Sequence, residues 1–285
     1  MKDNKGYTSW SQFSAALSAV NKGRPDLDVS KIPDVMLKQD PPWTNGALLM
    51  KRWLKAAPKS TSYPIDGTQC TNIIRMHWVL SYPRARRVYY EMLSKRIWLE
   101  RKAKSDLVER LRKNNLIGKP SIVFFGKKML PFAHNDFIAR YKVGGTMDML
   151  LGPLDDLRAS LARFDFRILA CGMIIPIYQN NRIVGYNIVM DKIGVYVFDS
   201  YDFNDGGWTS RFVSQPLGFW DVKHKTVGKT SVEGDYYVTN ETFRKWRQKH
   251  QKGGDFKVFS DIKFERLNPA ENQFEIDLSG KLIDP

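Results

Sequence analysis

Cysteine is nearly missing from this 285-residue chain: Cys70 and Cys171 stand about a hundred residues apart, with no CxxC anywhere. That excludes a cysteine-built zinc site and argues against a disulfide framework. Each cysteine sits in apolar company ("GTQCTNIIRM", "RILACGMIIP"), the setting of a buried free thiol. Histidine is equally sparse. His77, His134, His224 and His250 never form a metal-spaced pair, so a histidine-rich zinc site is not expected. His77 beside Trp78 reads as a packed core histidine, and His134 in "AHNDF" has the neighbours of a nuclease-type acid–base residue without a second histidine. Gly144 and Gly145 in "YKVGGTMD" belong to no GxxxxGK[ST] or GxGxxG loop, and no GxSxG marks an α/β-hydrolase serine. Long hydrophobic runs are lacking too: "ILACGMIIPIY" is too short to span a bilayer. The opening "MKDNKGYTSWSQFSAAL" has no apolar h-region. Action outside the producing cell would therefore call for a dedicated export machine.

What the chain does have is positive charge and enough apolar residues to bury a core. Hydrophobic residues make up 42% and aromatics 13%, a globular rather than a disordered balance. The formal charge of +15 favours an anionic partner: nucleic acid, a phospholipid surface or a phosphorylated substrate. The basic clusters "PRARR", "SKRIWLERKAK" and "RKWRQKHQKGG" are interleaved with aromatics. They suit a nucleic-acid surface or anionic headgroups, and equally a solvated helix face whose lysine stems cover apolar neighbours.

Along the chain, residues 1–40 lack periodicity and end at the paired prolines of "QDPPW", so they read as a flexible leader. Residues 41–118 are helical in pattern. "TNGALLMKRWLKAAP" puts Leu48, Leu49, Trp53 and Leu54 on one face, and apolar residues recur at helical spacing from Val88 to Leu111. Asp106 followed by Glu109 resembles a capping box, which leaves one long helix or two successive ones open. Residues 119–270 turn to β: "SIVFFG", a short helix in "LGPLDDLRASLARF", then "FDFRILACGMIIPIY", "RIVGYNIVMD" and "IGVYVFDSYDF". "QNNR" and "MDKIG" are the expected hairpin turns. "NETFRKWRQKHQKGG" follows as a helix capped by Asn240 and closed by Gly253, then the strands "DFKVFS" and "IKFERL". Residues 271–285 read as a tail. The fold class is α+β, with a helical N-terminal half and a C-terminal antiparallel sheet or partly open β-barrel.

One stretch stands out. "VYVFDSYDFNDGGWTSRF" starts as an apolar strand and then places Asp199, Asp202 and Asp205 within seven positions, with Tyr201 among them and Arg211 beyond a glycine pair. Strand ends are where a scaffold offers polar groups to a ligand. Carboxylates there can hold a divalent metal or activate water, and a guanidinium can clamp phosphate. Asp, Asn and Gly are also ordinary turn residues, and "DFNDGG" can be read as a turn alone.

"DSYDF" with a downstream arginine resembles the Asp-x-Tyr-Asp motif of the colicin M-like toxins, which carry it on an open antiparallel β-barrel. Those toxins hydrolyse lipid II between the polyprenyl chain and the pyrophosphate, with a divalent metal required. By position, the resemblance implies Asp199, Tyr201, Asp202 and Arg211 as catalytic residues. It implies Asp199 and Asp202 as ligands of a metal such as Mg2+, with Asp205 and His224 on the substrate. The toxins place a His-Arg pair near the tyrosine, whereas Ser210 precedes Arg211 here; His224 in "DVKHK" is the stand-in from the next segment. A wider set of stretches, "MHWVLSYPRARRVYYEM", "LDDLRASLARFDFRILACG", "GVYVFDSYDFND", "LGFWD" and "NETFRKWRQKHQKGGDFKVFSDIK", is similar to an uncharacterised bacterial family found near type VI secretion genes. This implies an exported antibacterial effector with a secretion spike or adaptor and an immunity protein as partners, acting in the target-cell periplasm. A metal-dependent nuclease effector and a non-enzymatic spike adaptor are the competing classes. If the positive charge serves a membrane, binding to anionic liposomes should fall steeply as salt rises; equal binding to neutral vesicles at all salt concentrations would remove that role.

Overall fold

A computed structural model describes residue Asn21 and residues 27–58, 70–126, 137–145, 152–204, 216–228 and 236–283. Its α-helices are α1 (Ile32–Met36), α2 (Thr44–Lys55), α3 (Met76–Ser81), α4 (Pro83–Ser94), α5 (Arg101–Lys113), α6 (Asp156–Leu161) and α7 (Asn240–His250). Its strands are β1 (Val123–Phe125), β2 (Ala139–Val143), β3 (Phe164–Gln179), β4 (Arg182–Tyr201), β5 (Pro216–Asp221), β6 (Thr226–Gly228), β7 (Tyr236–Thr239), β8 (Phe256–Phe259), β9 (Lys263–Arg266) and β10 (Gln273–Asp277). The fold is α+β, with helices gathered mostly in the N-terminal half and the sheet in the C-terminal half.

Two compact units share the chain and interleave along it. One takes Met1–Gln69, Gly144–Arg163 and Ser200–Lys257; the other takes Cys70–Val143, Phe164–Asp199 and Val258–Pro285. The segments 41–118 and 119–270 therefore each contribute to both units. Strand β4 explains part of this, because the chain passes from one unit to the other between Asp199 and Ser200, inside a continuous strand.

The seven-stranded sheet is built on the hairpin of β3 and β4. Its order is β1-β3-β4-β10, with β2 also on β3 and with β8 and β9 also on β4; among the described residues it does not close into a barrel. "QNNR" makes the expected turn, with Asn180 and Asn181 at φ 50° and 58°, the left-handed pair that a tight hairpin needs. "MDKIG" is not a turn. Cys171 pairs with Lys192 and Gly172 with Met190, so Asp191 is an extra residue in the ladder and β4 runs on for 20 residues. One inserted residue bends a strand without reversing it. The hairpin's middle is buried on both faces, with Phe166, Ile168, Ile188, Val195, Tyr196 and Val197 all inaccessible to solvent.

In the unit that holds β3, helices α4 and α5 bury Ala85, Tyr89 and Met92, then Ala103, Leu107, Val108 and Leu111, at helical spacing. A 3-10 turn, Ile97–Leu99, separates the two helices, so they are successive rather than one. Helix α5 starts after Glu100, which leaves Asp106 and Glu109 in its interior rather than at a cap. Tyr89 meets Phe166 edge-on at 5.5 Å and donates to Glu265 at 2.7 Å, fixing α4 to the sheet and to β9. His77 is exposed, not packed in the core as its neighbours suggested, because α3 turns Met76 and Val79 inward instead. Cys70 and Cys171 are buried and free. Residues beyond 270, expected as a tail, supply β10, whose Phe274 and Ile276 pack inward beside β4.

In the other unit, residues 29–36 fall within the expected leader but form a 3-10 turn and α1, burying Val29, Ile32, Val35 and Met36. Helix α2 begins without a side-chain cap of its own. Its first N–H groups are satisfied from α6 instead: Asp156 accepts from Asn45 at 3.0 Å and from Gly46 at 2.7 Å. That approach needs glycine at 46, where a Cβ would lie 2.9 Å from the Ala159 Cβ. Leu48, expected on the buried face of α2, is 46% exposed, while Ala47, Leu49, Met50 and Trp53 are buried. Helix α7 is capped by Thr239, in reciprocal bonding with Thr242, rather than by Asn240. Strands β6, β5 and β7 form a separate three-stranded sheet in that order.

The bulge carries a stability test. A Cβ on Gly172 would fall 1.9 Å from the Val189 carbonyl oxygen, a backbone atom that has nowhere to move. Gly172→Ala is expected to cost about 3 kcal/mol in a urea titration, the upper end for overpacking. An unchanged midpoint would show that the β3–β4 register differs from the one described.

Candidate functional site

Strand β4 delivers the acidic motif from a dry core to a half-exposed edge. Val195, Tyr196 and Val197 are fully buried, and Asp199 and Ser200 are intermediate. Asp199 is the last residue of its unit before the chain enters the other. Tyr201 is buried at 7% exposure; its ring stacks on Phe256 at 5.3 Å and meets Phe203 edge-on at 5.7 Å. Its hydroxyl points to the Met50 sulfur at 3.9 Å. Strand alternation accounts for this, since Tyr201 and Phe203 face inward while Ser200 and Asp202 face the other way. A phosphate-orienting hydroxyl needs an accessible position, and Tyr201 is instead a core residue.

Beyond Tyr201 the chain turns. The Asn204 backbone N–H donates to Asp202 Oδ1 at 3.1 Å, the usual short-range bond of an aspartate turn. Helix α7 holds the turn in place. Phe203 stacks on Phe243 at 3.8 Å, Arg244 donates to the Phe203 carbonyl at 2.8 Å, and Asn240 donates to the Asn204 carbonyl at 3.2 Å. Below it sits Asp255, fully buried, which accepts from Trp53 Nε1 at 2.9 Å, from Asn204 Nδ2 at 3.4 Å and from Arg247 in an ion pair. Lys257, 8% exposed on β8, donates to Ser200 Oγ at 2.5 Å.

These groups shape the Asp202 carboxyl. Burial is the main influence and raises its pKa above the ordinary aspartate range, and the negative charge of Asp255 pushes the same way. The Asn204 N–H and the charges of Lys257 and Arg247 pull it back, without cancelling the rise. The result is a carboxyl that holds its proton to higher pH, with cations and a hydroxyl close by. Such perturbed clusters gather at functional sites.

The remaining expected residues lie elsewhere. Asp205, Arg211 and His134 fall outside the described residues. His224 sits in the turn between β5 and β6, where its ring Nδ1 is 2.5 Å from Asp221 Oδ2 and its backbone N–H donates to Asp221 Oδ1 at 2.9 Å. Burial works to raise the Asp221 pKa, but these bonds from His224 hold it below the usual range. His224 thus has a local structural partner in the three-stranded sheet. Among the described residues no group of three or more His, Cys, Asp or Glu is placed to hold a metal ion. Asp255, Arg247, Lys257 and Ser200 are the residues that sequence reasoning passed over. The available signal was "DFKVF", where Asp255 stands directly before, and Lys257 within, a strand whose four positions are all buried; charges kept in such a setting are paired.

A family model described as "Family of unknown function (DUF6402)" matches residues 27–275. No curated protein and no solved structure matches the chain.

The raised Asp202 pKa fixes the sign of a pH effect. The folded protein binds this proton more tightly than the unfolded chain, so the group lowers stability as pH rises through the window between the ordinary aspartate value and the raised one. Asparagine keeps the Oδ1 acceptor for the Asn204 N–H. Asp202→Asn is expected to melt above the wild type at pH 7, with the difference fading as pH falls through that window and gone below about 3.9. A variant that melts lower at pH 7 would make the carboxylate a structural requirement.

Proposed function

Since this chain belongs to the DUF6402 family, a family of unknown function, we propose from its site and its motif that it is an antibacterial effector of the type VI secretion class. In this reading it hydrolyses the polyprenyl–pyrophosphate linkage of lipid II at the membrane surface of a rival cell's periplasm. The observation that carries the reading is the Asp202 carboxyl, raised above its usual range at the end of β4 beside Asp255 and Arg247. A carboxyl whose hold on the proton is strengthened by burial is suited to passing one to or from an oxygen of a phosphoester bond as it breaks. Positive charge from Arg211, as the motif implies, offsets the charge gathering on the pyrophosphate. The net charge of +15 favours approach to an anionic membrane surface that carries the substrate. An immunity protein in the producing cell and a spike or adaptor protein are the partners this role requires.

The motif also implies a divalent ion such as Mg2+, with Asp199 and Asp202 as its carboxylates, and that ion would supply Lewis acidity to the phosphoryl group. The described residues add no third acidic or histidine ligand, so the roles above rest on the chain's own groups. Tyr201 acts in this reading by packing: its ring braces the turn that presents Asp202.

Targeted expression in a sensitive bacterium separates the classes. The protein is expected to kill only when sent to the periplasm, with lysis, and Asp202→Asn should weaken killing roughly 100-fold while staying folded. Tyr201→Phe, which keeps the ring, should kill as the wild type does. Killing from the cytoplasm with loss of nucleic acid would replace this reading with a nuclease, and killing from neither compartment would leave the adaptor.

A further inference from the structure

The three basic clusters of the sequence meet different fates in the fold. In "SKRIWLERKAK", Lys95 pairs with Glu91, Arg96 with Glu271 and Lys102 with Asp106. In "RKWRQKHQKGG", Lys245 pairs with Glu241 and Arg247 with Asp255. "PRARR" differs. From Cys70 to Tyr90 the chain holds four arginines and one histidine, and not a single acidic residue. The carboxylates that reach this segment are committed to other groups. Asp261 accepts from the Met76 N–H at 2.7 Å where α3 begins, and Glu265 takes the Tyr89 hydroxyl and pairs with Lys263. Glu91 accepts from Lys95 at 2.6 Å and from the Tyr141 hydroxyl at 2.7 Å. Arg86 and Arg87 are exposed and form no ion pair among the described residues.

Helix α4 sets these charges around aromatic rings. Ala85, Tyr89 and Met92 are buried, which leaves Pro83, Arg87, Tyr90 and Ser94 in an outward row with Arg86 beside it. Tyr90 is 61% exposed, and its ring stands edge-on to the buried Tyr89 at 5.7 Å. Where α4 begins, Trp78 meets Tyr82 edge-on at 5.3 Å, and the Arg84 guanidinium lies over the Tyr82 ring at 5.3 Å. We infer that this face of α4 docks the protein on a bilayer of anionic phospholipids, with Arg86 and Arg87 on headgroup phosphates and Tyr90 at headgroup level. A guanidinium fork matches phosphate oxygens, and a ring with a polar end suits the boundary between headgroups and chains. Single-stranded nucleic acid fits less well, because it needs open ring faces for its bases. Here Arg84 covers a face of Tyr82, and Trp78 and Tyr82 pack on each other. The choice of a bilayer rests on the membrane-substrate reading above, whereas the uncompensated charge on α4 does not depend on it.

Vesicles of phosphatidylglycerol and phosphatidylethanolamine, free of lipid II, separate docking from chemistry. The full-length protein should co-sediment with them. Arg86→Gln/Arg87→Gln should bind roughly 30-fold more weakly, about fivefold for each arginine at an anionic surface. Lys102→Gln/Lys113→Gln on α5 removes the same charge from positions paired with Asp106 and Glu109. It should lose far less, because charge that does not touch the headgroups is screened by salt. Tyr90→Ala, which leaves the charge unchanged, should weaken binding severalfold. All these side chains are exposed, so each variant should keep the wild-type melting temperature. Equal losses in the two double variants would reduce the effect to net charge and overturn the assignment. So would binding of a single-stranded oligonucleotide that needs Arg86 and Arg87 when vesicle binding does not. Cleavage of lipid II in detergent micelles, which offer no bilayer, should be the same in Arg86→Gln/Arg87→Gln as in the wild type. If the wild type cleaves nothing there while vesicle binding still needs both arginines, the docking face stands and the hydrolase reading falls. If it cleaves lipid II while the arginine variant binds vesicles as tightly as the wild type, the docking face falls and the hydrolase stands.

Discussion

A single carboxylate that water does not reach organises the acidic end of this protein. Asp255 is fully buried, and a buried charge persists only with partners that replace its water. Trp53 from α2, Arg247 from α7 and Asn204 from the turn after β4 all donate to it. Three separate parts of the chain are thereby tied to one point just before β8. The same neighbourhood excludes side chains where backbones converge: a Cβ on Gly253 would strike the Trp53 ring at 2.5 Å, and the Gly254 N–H donates to the Trp53 carbonyl at 3.1 Å. Losing one member of such a buried pair costs about 3–5 kcal/mol, so the cluster is a structural necessity before it is a chemical one. Its chemistry follows from the same charge, which helps raise the Asp202 carboxyl above its usual range.

Much of the fold was legible because hydrophobic period and turn chemistry agree in most places. The Asn180–Asn181 turn, the helix after Thr44 and the apolar strands on either side of "QNNR" carry their own local instructions. The failures share a cause. "MDKIG" looks like a hairpin turn, but its fate depended on whether Gly172, on the partner strand, could accept a bulge against Val189. Helix α2 takes its cap from Asp156, more than a hundred positions away, and the Asp106–Glu109 pair that mimics a cap sits inside a longer helix. Long-range partners decide such points, and a local window does not contain them.

The candidate site was legible in half. Three of the four positions of "DSYD" stand out as residue types, and Asp202 does occupy a perturbed setting. Tyr201 misleads because an aromatic beside two acids suggests a ligand contact, whereas the alternation of β4 carries its ring into a stack with Phe256. Asp255, Lys257 and Arg247 were hidden for a different reason. They lie some fifty residues downstream, Arg247 on α7 and the other two in a stretch whose strand pattern is dominated by Phe256, Val258 and Phe259. Only the pairing of β8 with β4 brings Lys257 to Ser200. One basic cluster also changes meaning: in "RKWRQKHQKGG", Arg247 is spent on the buried carboxylate and Trp246 is packed inward, so that helix offers less free charge to an anionic surface than its composition suggests.

The most direct measurement is made on purified components. Lipid II in detergent micelles, incubated with the folded protein in a buffer containing Mg2+, is followed by mass spectrometry. The account predicts a free polyprenyl alcohol together with the pyrophosphorylated disaccharide-peptide, at a rate that drops roughly 100-fold in Asp202→Asn. Intact lipid II after prolonged incubation with protein of normal melting temperature would contradict it.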